Sequence, residues 1–213
     1  LASKKIYLIR HGETDFNKKG MVQGSGIDSS LNQLGNAQAK AFYDHYAHIT
    51  FDKIYTSKLK RTHQSVDQFI QKGLPWQQLW GLNEISWGHK EGRRITDSDN
   101  EQYINMLLAW QNGDYSQKVI GGESPAEVQE RQKTAWKYLM ENDHEKNILV
   151  CMHGRAIRIL LCLLLNVELK EMDQFEHRNL CLYLLNYENG KYSVEKRNDI
   201  AHLEKISALE KVS

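Results

Sequence analysis

Proline, cysteine, net charge and long apolar runs are all scarce in this chain, and each scarcity excludes something. Two prolines in 213 residues, with no low-complexity tract, mark no linker. One domain over residues 1–213 is therefore expected, with 204–213 as a C-terminal tail. Three cysteines, at 151, 162 and 181, cannot all pair, and the first two fall in apolar runs. Free thiols packed as small hydrophobes are expected, which favours a reducing cytoplasm. Residues 157–165 are too short and too interrupted to span a bilayer, and residues 1–5 contain no apolar signal core. Membrane attachment is not expected. Neither sign of charge is in excess, with 28 Lys and Arg against 27 Asp and Glu, so no general attraction to nucleic acid or an anionic membrane is implied. Any anion binding must be local.

What is present is a core and a pattern. At 40% apolar content the chain can bury a full interior. The stretch Lys5-Ile6-Tyr7-Leu8-Ile9-Arg10-His11-Gly12-Glu13-Thr14 begins as a continuous apolar run, the mark of a strand covered on both faces, and ends in polar chemistry. Open α/β sheets keep reactive groups at the carboxyl ends of their strands, where Arg10 and His11 stand. Gly12, lacking a Cβ, is expected to turn the backbone without obstructing a bound anion. Alone, Arg-His-Gly would as readily be a surface histidine after a core strand.

The rest of the chain repeats that grammar. Residues 16–30, with Gly20, Gly24 and Gly26, read as a loop beside the presumed site. Asn32 caps a helix to about residue 48, and residues 51–56 form a second strand. The next helix carries Leu59, Val66, Phe69 and Ile70 on its apolar face, which puts Arg61 near an anion-favouring N-terminus. Residues 77–80 are a weak strand, and 87–120 a loop with one helix near 100–110, taken as an excursion over the sheet edge. Ser124-Pro125-Ala126-Glu127 starts a capped helix. Residues 147–152 form a buried strand that again ends in His-Gly, His153-Gly154, before an apolar helix over 156–165. Residues 180–187 and 192–196, joined by Asn189-Gly190, read as a hairpin at the sheet edge.

Two strand-end histidines, an arginine beside one of them and a helix-start arginine suit a phosphoryl group. Arginine forks bind phosphate oxygens bidentately at any workable pH, and a neutral imidazole attacks phosphorus. Glu84 completes the set as proton donor to the leaving oxygen. No metal and no organic cofactor is called for, because the cationic pocket supplies the charge stabilisation.

With these residues the sequence resembles the histidine phosphatase superfamily, the phosphoglycerate mutase-like group (branch 1), from Ile6 to about Leu203. The motifs are Leu8-Ile9-Arg10-His11-Gly12-Glu13-Thr14 with Asn17, Gln23-Gly24, Leu31 to Gly35 with Gln38-Ala39, and Ser57-x-Leu59-x-Arg61-Thr62-x-Gln64-Ser65. They continue with Leu82-Asn83-Glu84-Ile85, Gly88, Glu91-Gly92, Gly121-Gly122-Glu123-Ser124 and Val150-x-x-His153-Gly154. The resemblance implies a three-layer α/β/α sandwich on a mostly parallel central sheet. It implies that His11 becomes phosphorylated, that Arg10, Arg61 and His153 form the phosphate pocket, and that Glu84 is the acid/base. Asn17 would add a side-chain amide, and Gln23, Gly24 and Gly154 would line the substrate side.

The longer insertion by which the cofactor-dependent mutases grip the second charged end of their substrate has no evident counterpart here. Arg93-Arg94 reads as a solvated pair. The function expected first is therefore a phosphatase of small phosphorylated metabolites, then a phosphoglycerate mutase, then a non-catalytic phospho-ligand binder. Oligomeric state is open. The other histidines, His177 among them, read as surface or local hydrogen-bonding residues. Arg155, Arg158 and Arg178 could reach the pocket mouth or be solvated. Ser57 could orient His11 or a phosphate, or simply cap its helix.

Overall fold

The computed structural model describes residues 3–94, 96–204 and 206. Its strands are β1 (Ser3–Arg10), β2 (Lys53–Thr56), β3 (Trp76–Gln78), β4 (Asn147–Met152), β5 (Leu182–Glu188) and β6 (Lys191–Asp199). Its α-helices are α1 (Asp15–Lys18), α2 (Gln33–Tyr46), α3 (Lys60–Gln71), α4 (Asp97–Gln111), α5 (Pro125–Met140) and α6 (Gly154–Leu164). The sheet runs β3-β2-β4-β1-β5-β6, parallel from β3 to β1 and antiparallel across the β1/β5 and β5/β6 pairs. This is the expected mostly parallel sheet with helices on both faces.

Alternation along β1 explains the three layers. Ile6 and Leu8 join a core with Val150, Val128, Leu139 and Ile157 beneath α5 and α6. Tyr7 and Ile9 point the other way, into a core with Phe42, Tyr46, Val66 and Phe69 of α2 and α3. A strand buried on both sides must be apolar at every position, and burying each such side chain contributes about 1.5–3 kcal/mol.

Local signals place most boundaries. Ser124 and Glu127 form a reciprocal capping box around Pro125, and Thr96 with Asp99 does the same for α4. Asn189 and Gly190 take φ of 52° and 80°, the left-handed pair that a tight hairpin turn requires. Three expectations shift, and one lies mostly outside the described residues. The weak strand lies at Trp76–Gln78, and Trp80–Leu82 is a 3-10 turn. Residues 16–30 are not all loop, since Thr14 caps the short α1. The segment 87–120 does not run over the sheet edge: Met106, Trp110 and Val119 enter the α5/α6 core, because their aromatic and apolar bulk has nowhere better to go. The expected tail, 204–213, lies outside the described residues except for Glu204 and Ile206.

Register then brings the chemistry together. Arg10 pairs with Met152, while Cys151 pairs with both Ile9 and Thr56. The carboxyl ends of β1, β2 and β4 are therefore level, and the segments leaving those three ends converge on one point.

Candidate active site

His11 is 2% exposed and its N–H extends the ladder to the Met152 carbonyl at 3.1 Å. The His153 ring lies 5.1 Å from it, centroid to centroid. Hydrogen bonds decide both tautomers. His11 Nδ1 is 2.7 Å from the Gly12 carbonyl, which can only accept, so Nδ1 carries the proton and Nε2 keeps a bare lone pair. His153 is the reverse. Its Nδ1 accepts from Arg61 Nε at 3.2 Å, so Nε2 donates to Ser57 Oγ at 2.8 Å. Ser57 Oγ also accepts from Leu59 N–H, leaving its proton for Thr62, whose own hydroxyl donates to the Leu59 carbonyl. Ser57 thus orients His153, not His11.

Burial first, then the guanidinium groups of Arg61 and Arg10, hold His11 well below its ordinary pKa. Burial, Arg61 and His11 do the same for His153. Both rings are neutral at pH 7.

The two cations lack anionic partners. Arg61 is fully buried and donates to His153, to the Ile27 carbonyl at 2.6 Å and to the Gly24 carbonyl at 3.2 Å. Burial brings its pKa down to about 10, so it stays charged at neutral pH. Arg10 donates from Nη1 to His177 Nδ1 at 3.3 Å, while its buried Nε has no hydrogen-bond partner among the described residues. Among the described residues neither guanidinium forms an ion pair with a carboxylate. Two sequestered cations beside a bare imidazole nitrogen form a site that a compact anion would complete.

Glu84, 7% exposed, sits at the N-terminus of α6. Its Oε1 accepts from the N–H groups of Ile85 and Ala156, both at 2.9 Å, and Oε2 from that of Arg155 at 3.2 Å. Oε2 is the less occupied oxygen. Asn17 Oδ1 is taken by Thr14 and Asn179, and among the described residues its Nδ2 makes no hydrogen bond. Gln23 Oε1 accepts from Thr14 and Ser29, leaving its amide nitrogen uncommitted.

The glycines have other reasons than the sequence suggested. A Cβ on Gly12 would meet the Gly35 carbonyl at 2.7 Å, so helix α2, not a bound anion, requires the glycine. Gly24 packs against the Glu91 carboxylate, 2.2 Å from where its Cβ would stand, and lends its carbonyl to Arg61. Gly154 makes room for the His177 ring, 2.6 Å from the equivalent point. The other motif residues hold the turn after β1. Ser65 Oγ accepts from Gly12 N–H, Gln38 from Glu13 N–H and Gln64 from Leu31 N–H.

Three neighbours escaped the sequence reading. His177, half-buried and pushed down to about pKa 3 by burial and then by Arg10, is hydrogen-bonded to Arg10. Asn179 donates to the His11 carbonyl at 3.1 Å. Both precede β5, and only its antiparallel pairing with β1 brings them here, so no local pattern marks them. Arg131 of α5 forks onto Glu123 at 2.8 and 3.0 Å and donates to the carbonyls of Gly81, Asn83 and Glu84. Glu123 also accepts from Ser86 N–H, which gives the Gly-Gly-Glu-Ser motif its use: it braces the Glu84 loop. Arg155 and Arg158 are not free at a pocket mouth, since both pair with Asp173. Among the described residues no group of three or more His, Cys, Asp or Glu is placed to hold a metal ion, and no helix is long and apolar enough to cross a membrane.

This fold and strand-end cluster define a class, and the comparisons agree with it. Residues 6–200 match the histidine phosphatase superfamily (branch 1). Phosphoserine phosphatase 1 of Hydrogenobacter thermophilus is 28% identical over 200 residues, 93% of this chain and 94% of that protein. The probable phosphoglycerate mutase GpmB of Escherichia fergusonii is 28% identical over 206 residues, 94% and 95% of the two chains. The solved structure of the alpha-ribazole phosphatase from Shigella flexneri superposes with a TM-score of 0.80 at 25% identity, covering 92% of this chain and 96% of that one. The chain belongs to the histidine phosphatase superfamily, and it is an enzyme of that family, whose members act on phosphorylated substrates.

Proposed function

We propose that the protein hydrolyses small phosphomonoesters through a phosphohistidine on His11, without a metal. One observation carries the reading: the Gly12 carbonyl holds the proton on Nδ1, while burial and then the guanidinium groups of Arg61 and Arg10 keep Nε2 unprotonated. In the first half-reaction Nε2 forms a bond to phosphorus as the ester P–O bond breaks, and the leaving oxygen takes a proton from Glu84. In the second, water attacks phosphorus, Glu84 takes its proton, the P–N bond breaks and inorganic phosphate departs. Arg10 and Arg61 hold the phosphoryl oxygens in both, His153 aims the Arg61 fork by accepting from its Nε, and the uncommitted amide nitrogens of Asn17 and Gln23 are further donors. The cytoplasm suits the three buried free thiols.

A mutase is the second reading, favoured by the similarity to GpmB. Both readings share the phosphoenzyme and differ in what accepts from it. Rapid-quench labelling with a 32P-labelled alkyl phosphate should give an acid-labile, base-stable phosphoprotein that is absent in His11→Ala. Chase of the label into free phosphate, faster than into added phosphoglycerate and unaffected by EDTA, is the expected result. Label mapped to His153, or a chase that favours phosphoglycerate, would overturn the respective half of the proposal.

A further inference from the structure

Next to the phosphate site lies a cavity of about 210 Å³, of whose walls only Gln23 has a role above. Its walls include Val22, Gln23, Trp87, Lys90 and Tyr103, with the exposed Arg93 and Arg94 also lining it, and the surface they present is mostly carbon. The one buried cation there is neutralised: Lys90 Nζ is 3.6 Å from Asp99 Oδ1 and donates to the Asp99 carbonyl. Trp87 meets Tyr103 edge-on at 5.6 Å and leans on Trp110 at 6.3 Å, while its backbone N–H donates to Glu91 at 2.8 Å. The wall is therefore aromatic and fixed.

Two links tie this slot to the reacting groups. Gln23 lines it and accepts from Thr14, in the turn that carries His11. On the opposite side Tyr103 Oη accepts from Arg155 Nη2 at 3.0 Å, and the Arg155 backbone N–H donates to Glu84 Oε2. A phosphoryl group on His11, with its ester oxygen at Glu84, would send its carbon skeleton toward this slot. The volume is that of roughly seven waters in the liquid, enough for a ring and too large for a two- or three-carbon polar chain to fill. A mostly carbon wall lined by the further cations Arg93 and Arg94 would also leave the amine of a phosphorylated amino acid without a partner.

We propose that this slot receives the leaving-group skeleton, and that the preferred substrate is an alcohol phosphomonoester with a ring-sized apolar body rather than a phosphorylated amino acid or glycerate. The inference rests on the hydrolytic reading above. Burying a ring of this size supports a preference of about 30-fold or more.

The test compares ethyl phosphate with 2-phenylethyl phosphate, whose leaving oxygens are similarly basic, so that only the ring differs. The expected ratio of kcat/KM is about 30 or more in favour of the phenylethyl ester. Val22→Phe, which fills the slot from one side, and Trp87→Ala, which removes its wall, should each shrink that ratio at least tenfold. In parallel, propylphosphonate and 3-phenylpropylphosphonate, which cannot be hydrolysed, are titrated by calorimetry. Esters cleaved with a ratio below about 3, or a ratio that survives both substitutions, would overturn the slot while leaving hydrolysis standing. Phosphonates that bind with the ring preference while neither ester releases phosphate would support the slot and overturn hydrolysis.

Discussion

In the proposed reaction the attacking histidine must keep one ring nitrogen bare, and His11 can do so because its other nitrogen is spent on a carbonyl one residue away. The same burial has a consequence for stability. His11 and His153 sit well below the ordinary histidine pKa, His177 falls to about 3 and His202 to about 4, burial being the first cause in each. Unfolded, each would titrate near 6.5. Below that pH the unfolded chain binds protons that the folded chain refuses, so stability falls as pH falls. One such histidine costs about 2 kcal/mol between pH 6.5 and 5. Urea unfolding at pH 7 and pH 5 should register a loss of several times that order. His202→Gln, which still offers an N–H to the Leu180 carbonyl, should lose about 2 kcal/mol less. Equal losses in the two proteins would show that His202 is protonated in the folded state.

Between residues and fold stand the junctions, and the brace on Glu84 is the one whose failure is easiest to read. A proton donor matters when the departing oxygen is a strongly basic alkoxide and little when it is a stabilised phenolate. Glu84→Gln should lose about 10²-fold or more on an alkyl phosphate and far less on p-nitrophenyl phosphate. Arg131→Met removes the fork that links Glu123 to the Gly81, Asn83 and Glu84 carbonyls. It should reproduce the same selectivity at roughly tenfold, because it displaces the donor without touching the phosphate pocket. Arg61→Ala should slow both substrates alike, since charge is needed at phosphorus whatever leaves. A uniform loss in Arg131→Met would make Arg131 a structural prop only. The junctions were half legible. Ser124 and Asn32 announced their helices through capping chemistry that is local in sequence. Gly12 was legible as a required glycine but for the wrong reason, because Gly35 lies 23 residues away in sequence and its approach depends on packing.

For the whole molecule, the unpaired cations couple folding to anions. A compact anion that binds the folded site but not the unfolded chain stabilises by about 2.7 kcal/mol at a hundred times its Kd, which for a chain of this length is roughly 5–10 °C in Tm. Orthovanadate or phosphate should give that shift in the wild type. Arg61→Met should lose most of it, and EDTA should leave it unchanged. A Tm insensitive to both anions would mean that Arg10 and Arg61 do not form a phosphate pocket.

The division between what the chain spells out and what folding adds comes from range. Burial on both faces dictates the apolar runs of β1 and β4, and polar residues directly after them mark the reactive ends, so strands, helices, Arg10, His11, Arg61 and His153 are legible locally. Which tautomer each histidine adopts, which oxygen of Glu84 is less occupied, and that His177, Asn179 and Arg131 belong to the site are set by partners from other elements. The aromatic slot likewise joins Val22 to Trp87 and Tyr103 from separate segments. Periodicity and capping act over a few residues, where sequence order is spatial order; hydrogen-bond partners and cavity walls are chosen only once the sheet has brought distant segments level.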